Sequence, residues 1–69
     1  MMRKHVLSSD LVSVGYEEAA RVLEVEFKRG LYRFYKVPPE RFDGLMMATS
    51  KGAYFHEFIK KNYAYCRIW

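Results

Sequence analysis

Leu31-Tyr32-Arg33-Phe34-Tyr35-Lys36-Val37-Pro38-Pro39 carries three aromatic rings, two cations and two consecutive prolines in nine residues. Its first half alternates in the manner of a β-strand, with Tyr32, Phe34 and Lys36 on one face and Leu31, Arg33, Tyr35 and Val37 on the other. The proline pair ends that strand. A residue before proline avoids helical angles, whereas proline itself is well placed in the first turn of a helix. The stretch therefore predicts a third strand from Leu31 to Val37 and a helix that opens at Pro39.

The segment before it is the clearest strand in the chain. From Arg21 to Lys28, Leu23, Val25 and Phe27 point one way and Glu24, Glu26 and Lys28 the other, so one face is buried and one is solvated. Lys28-Arg29-Gly30-Leu31 supplies a short glycine-bearing turn, which makes the two strands a hairpin. Leu11-Val12-Ser13-Val14-Gly15-Tyr16 alternates weakly and predicts a first strand. Glu17-Glu18-Ala19-Ala20 is too short for a stable helix and reads as a connection. Residues 1–7 carry no pattern and are expected to be loose.

Beyond the prolines, Phe42, Leu45 and Met46 form an i, i+3, i+4 stripe in a helix to about Ala48. Ser50 is a good N-cap for a second helix to about Asn62. Tyr54, Phe55, Phe58 and Ile59 would be buried there, with Lys51, Glu57, Lys60 and Lys61 towards solvent. The tail Tyr63–Trp69 alternates again; it adds a short strand or lays Trp69 over the sheet, and Trp69 is expected to be docked on this chain or a neighbour. The fold class is α+β: a three-stranded antiparallel meander followed by two helices on one face, with a short C-terminal strand as an option.

With 69 residues there is one domain, spanning 1–69. Aromatic residues make up 17% of the chain, and their bulk is what so small a core needs. A single cysteine, Cys66, allows neither an intrachain disulfide nor a cysteine zinc site and favours a reducing, cytoplasmic setting. The apolar run after Met1-Met2-Arg3-Lys4-His5 breaks at Ser8-Ser9-Asp10, so neither a signal peptide nor a membrane span is expected. The net charge of +4 is unevenly placed: residues 1–27 carry −2 and residues 28–69 carry +6. An anionic partner is thus expected to meet the second part of the chain.

Several blocks resemble the KTSC domain, a small module found at the C-terminus of some lysine–tRNA synthetases and as a free-standing bacterial or phage protein. They are Ser8-Ser9, Val14-Gly15-Tyr16, Leu23-Glu24-Val25-Glu26-Phe27, the aromatic pair Tyr32-Arg33-Phe34 ahead of Val37-Pro38, and Ser50-Lys51-Gly52-Ala53-Tyr54-Phe55 followed by Ile59 and Tyr63. Phe34 stands where the family usually has tyrosine, and His56 where it often has asparagine. The resemblance covers nearly the whole chain. It implies no defined activity; the synthetase association suggests RNA.

Two uses of Tyr32 and Phe34 compete. They are stacking platforms with Arg33, Lys36 and Arg41 on phosphates, or they are the sheet's half of the core. The adjoining face of Leu23, Val25 and Phe27 favours core. Ser50, Lys51 and the amides at Gly52 are a candidate locus for one phosphate; the alternative is a capped helix whose glycine allows close packing. His5 and His56 have no second ligand at metal spacing, and no nucleophile arrangement includes Cys66, so neither metal, cofactor nor catalysis is expected. The leading expectation is a non-catalytic module for an anionic partner, RNA first, through Arg33, Lys36, Arg41, Ser50, Lys51, Lys60 and Lys61. The alternatives are a protein-interaction or self-associating module of the small phage-inhibitor kind, using Tyr35, Tyr65 and Trp69, or an oligomer that captures a small nucleotide.

Overall fold

The computed structural model describes all residues, 1–69. The chain forms β1 (Arg3–His5), β2 (Leu11–Glu17), β3 (Val22–Phe27), β4 (Gly30–Phe34), α1 (Pro39–Met47), α2 (Lys51–Tyr54), which runs directly into π-helical turns over Phe55–Lys60, and β5 (Tyr65–Arg67). The five strands make one antiparallel sheet in the order β1-β2-β3-β4-β5. The meander is therefore wider than expected. The tail does add a strand, and Arg3–His5, expected to be loose, pairs with Ser13–Gly15 of β2.

The registers align Tyr16, Leu23, Phe34 and Tyr65 in one row, and Lys4, Val14, Val25, Tyr32 and Arg67 in another on the same face. This face receives the helices. Its buried cluster joins Leu11, Val14, Leu23, Val25 and Phe34 to Val37, Leu45, Phe55 and Ile59. Leu11 and Val14 both reach the core because the register shifts between Leu11 and Ser13, where one extra residue re-aims the strand. Phe34 is thus core, as the neighbouring strand suggested, and Tyr32 is half-buried at its margin.

The second row pattern belongs to the helix-free face, where Arg3, Gly15, Glu24, Arg33 and Cys66 lie side by side across all five strands. Glu24 is buried there. It accepts from Arg3 Nη1 at 2.6 Å and from Arg33 Nε at 2.7 Å. Gly15 explains how Arg3 gets there: a Cβ at position 15 would come within 2.9 Å of Arg3 Cγ, so the missing side chain is the channel along which Arg3 crosses β2. Ser13 donates to Glu26 at 2.7 Å beside this row.

Two departures from the expected elements have local causes. β4 ends at Phe34 rather than Val37, because Lys36 adopts a left-handed conformation with φ 59°. That twist swings Val37 out of the strand alternation and into the core, where its amide donates to Arg21 O and its carbonyl accepts from the Tyr16 hydroxyl. A β-branched residue tolerates this backbone poorly. Lys36→Val is expected to lower stability by about 1–2 kcal/mol and Lys36→Gly to leave it unchanged or raise it, as urea titration of the three proteins would reveal.

The second helix was expected to stay α-helical to Asn62. It is capped as expected, with Ser50 Oγ accepting from the Ala53 amide, but widens after Tyr54. The wider turns bury Phe55 and Ile59 while leaving Phe58, expected in the buried stripe, 40% exposed. α1 and α2 meet where Tyr54 lies on Gly44: a Cβ there would collide with the Tyr54 hydroxyl and ring. Gly44→Ala should accordingly destabilise by about 1–2 kcal/mol despite the better helix propensity of alanine; a melting temperature equal to or above wild type would contradict that contact.

Candidate aromatic and basic cleft

A cleft of about 540 Å³ opens on the helix-bearing face between the β3–β4 turn, the Ser9–Asp10 loop, β5 and the π-helical turns. Its aromatic lining consists of Phe27, Tyr32, Phe34, Phe55 and Tyr65. These rings form one connected group. Phe27 meets Phe55 at 5.0 Å and Tyr32 at 5.7 Å, edge to face; Phe34 meets Phe55 at 5.3 Å. Tyr65 closes the group, with centroids 5.4 Å from Phe34 and 5.9 Å from Tyr32. Edge-to-face contacts join Phe27, Tyr32, Phe34 and Phe55, while Tyr65 meets its two neighbours at a tilt. Tyr65 stays 55% exposed and presents the most accessible ring.

Cations stand around these rings. Lys28 and Arg29 come from the β3–β4 turn and Lys60 from the π-helical turns, where the His56 imidazole also lines the cleft. Arg67 fastens the rim: its guanidinium lies 5.7 Å over Tyr32, donates to Arg29 O at 2.7 Å and to Trp69 O at 3.0 Å. The turn that carries Lys28 and Arg29 is thereby tied to β5. The cleft is of the size and lining that ligand sites commonly have: apolar rings with a few placed polar groups.

Of the residues expected from the sequence to bind a partner, only Lys60 and Tyr65 line this cleft, together with Tyr32 and Phe34, the rings weighed there for stacking, and His56. Arg33 lies on the opposite face, and Glu24 beside it pushes the guanidinium pKa up by hydrogen bond and charge. Arg41 sits 5.1 Å over Phe58, and the Tyr63 and Tyr54 hydroxyls raise its pKa. Lys51 donates to Ala48 O, Lys61 lies 3.9 Å from Glu57, and Lys36 is exposed beside Tyr35 beyond the end of β4. These cations do not form one surface. At the start of α2, the position considered for a phosphate holds the chain's own Asp10: a Cβ on Gly52 would be 2.7 Å from Asp10 Oδ2. Trp69 is docked by its backbone only, with Leu31 donating to Trp69 O and Trp69 donating to Leu31 O, while its ring remains 58% exposed.

Phe27, Lys28, Arg29, Arg67, Ser9 and Asp10 were missed. From the sequence Lys28 reads as a solvated strand residue and both Lys28 and Arg29 as part of a turn; their place beside an aromatic hairpin is the available signal. Nothing local in Ser9-Asp10 announces that the loop returns to a helix more than forty residues away.

The family model for the KTSC domain matches residues 7–63. An uncharacterized protein of Stutzerimonas stutzeri is 44% identical over 99% of both chains. Lysine–tRNA ligases of Trichormus variabilis and Nostoc punctiforme are 43% and 39% identical over 72% of this chain, which corresponds to 9% of each ligase. Among solved structures, a KTSC domain protein from Yersinia pestis superposes with a TM-score of 0.95 at 35% identity, covering 99% of this chain and 97% of the other. The fold, the matched blocks and these relatives agree, and the chain belongs to the KTSC domain family.

Proposed function

We propose that this chain is a non-catalytic module that binds single-stranded RNA through the aromatic and basic cleft. One observation carries the reading: the accessible rings of Tyr32 and Tyr65 share a single cavity with Lys28, Arg29 and Lys60. Rings offer stacking surface to unpaired bases, and cations at the rim suit the phosphates on either side. Basic residues elsewhere on the chain contribute a diffuse attraction that speeds encounter. The occurrence of related segments within lysine–tRNA ligases supports an RNA partner over other polyanions.

The test is anisotropy of a fluorescent single-stranded octaribonucleotide titrated with the protein over a range of salt concentrations. Binding should weaken with a log–log slope of roughly −2 if three cations each displace counterions from single-stranded nucleic acid. Absence of binding at low salt, or a salt-independent affinity, would overturn the reading. A free mononucleotide that raises the melting temperature while the octamer does not bind would point to small-nucleotide capture instead.

A second reading rests on the exposed tail. Ile68 and Trp69 stand in solvent beside the open edge of β5, together with Tyr65 and Tyr35. An unpaired edge with aromatic side chains is a site for protein contact. Sedimentation velocity decides it: a species that remains monomeric at high concentration, with red-shifted Trp69 emission, counts against self-association.

A further inference from the structure

Asp10 is the one acidic side chain that lines the cleft. Its backbone is fixed, because Ser8 Oγ accepts from the amides of Asp10 and Leu11. Its carboxylate is placed by Gly52, whose missing side chain leaves room for Oδ2. That carboxylate makes no hydrogen bond or ion pair with another side chain. Among polar groups of the cleft it differs from the rest. Lys28, Arg29 and Lys60 only donate, and the hydroxyls of Ser9, Tyr32 and Tyr65 both donate and accept, whereas a carboxylate only accepts, through two oxygens.

A free acceptor pair in a cleft otherwise suited to phosphates repels the backbone and favours a base edge rich in donors. Guanine alone presents two adjacent donors, N1–H and N2–H, on its Watson–Crick edge. Cytosine and adenine offer a single amino group there. Uracil offers one N–H between two carbonyl oxygens, which a carboxylate repels. We infer that Asp10 is a specificity-determining residue that selects guanine at the stacked position of a bound single strand. The inference rests on the proposed RNA reading and adds base choice to it.

The experiment uses the full chain and four labelled octaribonucleotides: octauridylate and the same strand with a central guanosine, adenosine or cytidine. At fixed low salt the guanosine strand should bind about tenfold more tightly than octauridylate, the discrimination of a good bidentate contact. Asp10→Asn keeps the shape of the side chain but replaces one acceptor by a donor, and should reduce that preference to about twofold or less. Gly52→Ala keeps the carboxylate and displaces it, and should also blunt the preference. If the strands bind equally, or if guanosine preference persists unchanged in Asp10→Asn, the assignment is overturned while RNA binding stands. If Asp10→Asn lowers the melting temperature and leaves the base ranking of the wild type intact, Asp10 is structural only. If no strand binds, both readings fall. The ranking measured on the unaltered protein is decisive even should a variant fail to fold.

Discussion

Replacing Glu24 by alanine is expected to lower the stability of the domain by about 2–3 kcal/mol at neutral pH. Its side chain is only 4% exposed, yet it lies on the face of the sheet that no helix covers. What covers it is the pair of arginines, Arg3 from β1 and Arg33 from β4, which close over it from the two sides. Losing the carboxylate releases Arg33 and leaves Arg3 with only its bond to Ser13 Oγ, so the side-chain link from β1 to β3 is lost. Both arginines remain partly in water, which keeps the loss below that of a fully buried triad.

The same group makes a pH prediction. Burial by itself would raise the Glu24 pKa; the hydrogen bonds from Arg33 and Arg3 outweigh it and hold the value below 4.5. A carboxyl whose folded pKa is depressed contributes stability that is fully present above its unfolded pKa and is lost as pH falls through the folded one. The stability gap between wild type and Glu24→Gln should therefore be constant from neutrality down to about pH 5 and narrow below pH 4. Urea titrations at pH 7 and pH 3 check this; an equal gap at both would mean that the arginines do not hold the carboxylate charged. Gly15→Val, which blocks the path of Arg3 without touching the carboxylate, should show part of the same loss.

Much of the fold was legible because its signals are local. The alternation of Leu23, Val25 and Phe27 against Glu24 and Glu26 identifies β3 and its buried face. Pro38-Pro39 marks the start of α1 to the residue, and Ser50 caps α2. What escaped has a common cause: it depends on contacts between distant segments. Arg3-Lys4-His5 has no apolar alternation, and only the channel over Gly15 and the pairing with β2 make it a strand. Lys36 has no sequence signature of a positive φ; the demand comes from burying Val37. For the candidate site, net charge pointed to the half of the chain that carries Lys28, Arg29 and Lys60 but did not set these cations apart. Charge counts do not distinguish a lysine that lines a cleft, such as Lys60, from an arginine spent on a buried glutamate, such as Arg33.

That distinction makes the strongest test of the cleft. Tyr65→Ala is expected to weaken binding of the single-stranded octaribonucleotide by roughly 5- to 100-fold, the range that loss of one base–aromatic stack covers. The ring is 55% exposed at a short edge strand, so the variant should stay folded, with a melting temperature close to wild type. Lys28→Glu combined with Arg29→Glu places two like charges against the phosphates and should weaken binding at least as much, while making the salt slope shallower. Both side chains are exposed in a turn, and neither contributes to the buried cluster. The comparison that decides is with Lys51→Ala and Lys61→Ala, cations of the same half of the chain that do not line the cleft. A specific cleft predicts that these change affinity by no more than about twofold, the share of one remote surface charge. If every lysine variant weakened binding alike and Tyr65→Ala had no effect, attraction would be diffuse and the cleft would play no part. A large loss confined to Tyr65, Lys28 and Arg29 requires the base and its phosphates to sit together where the aromatic group meets the β3–β4 turn.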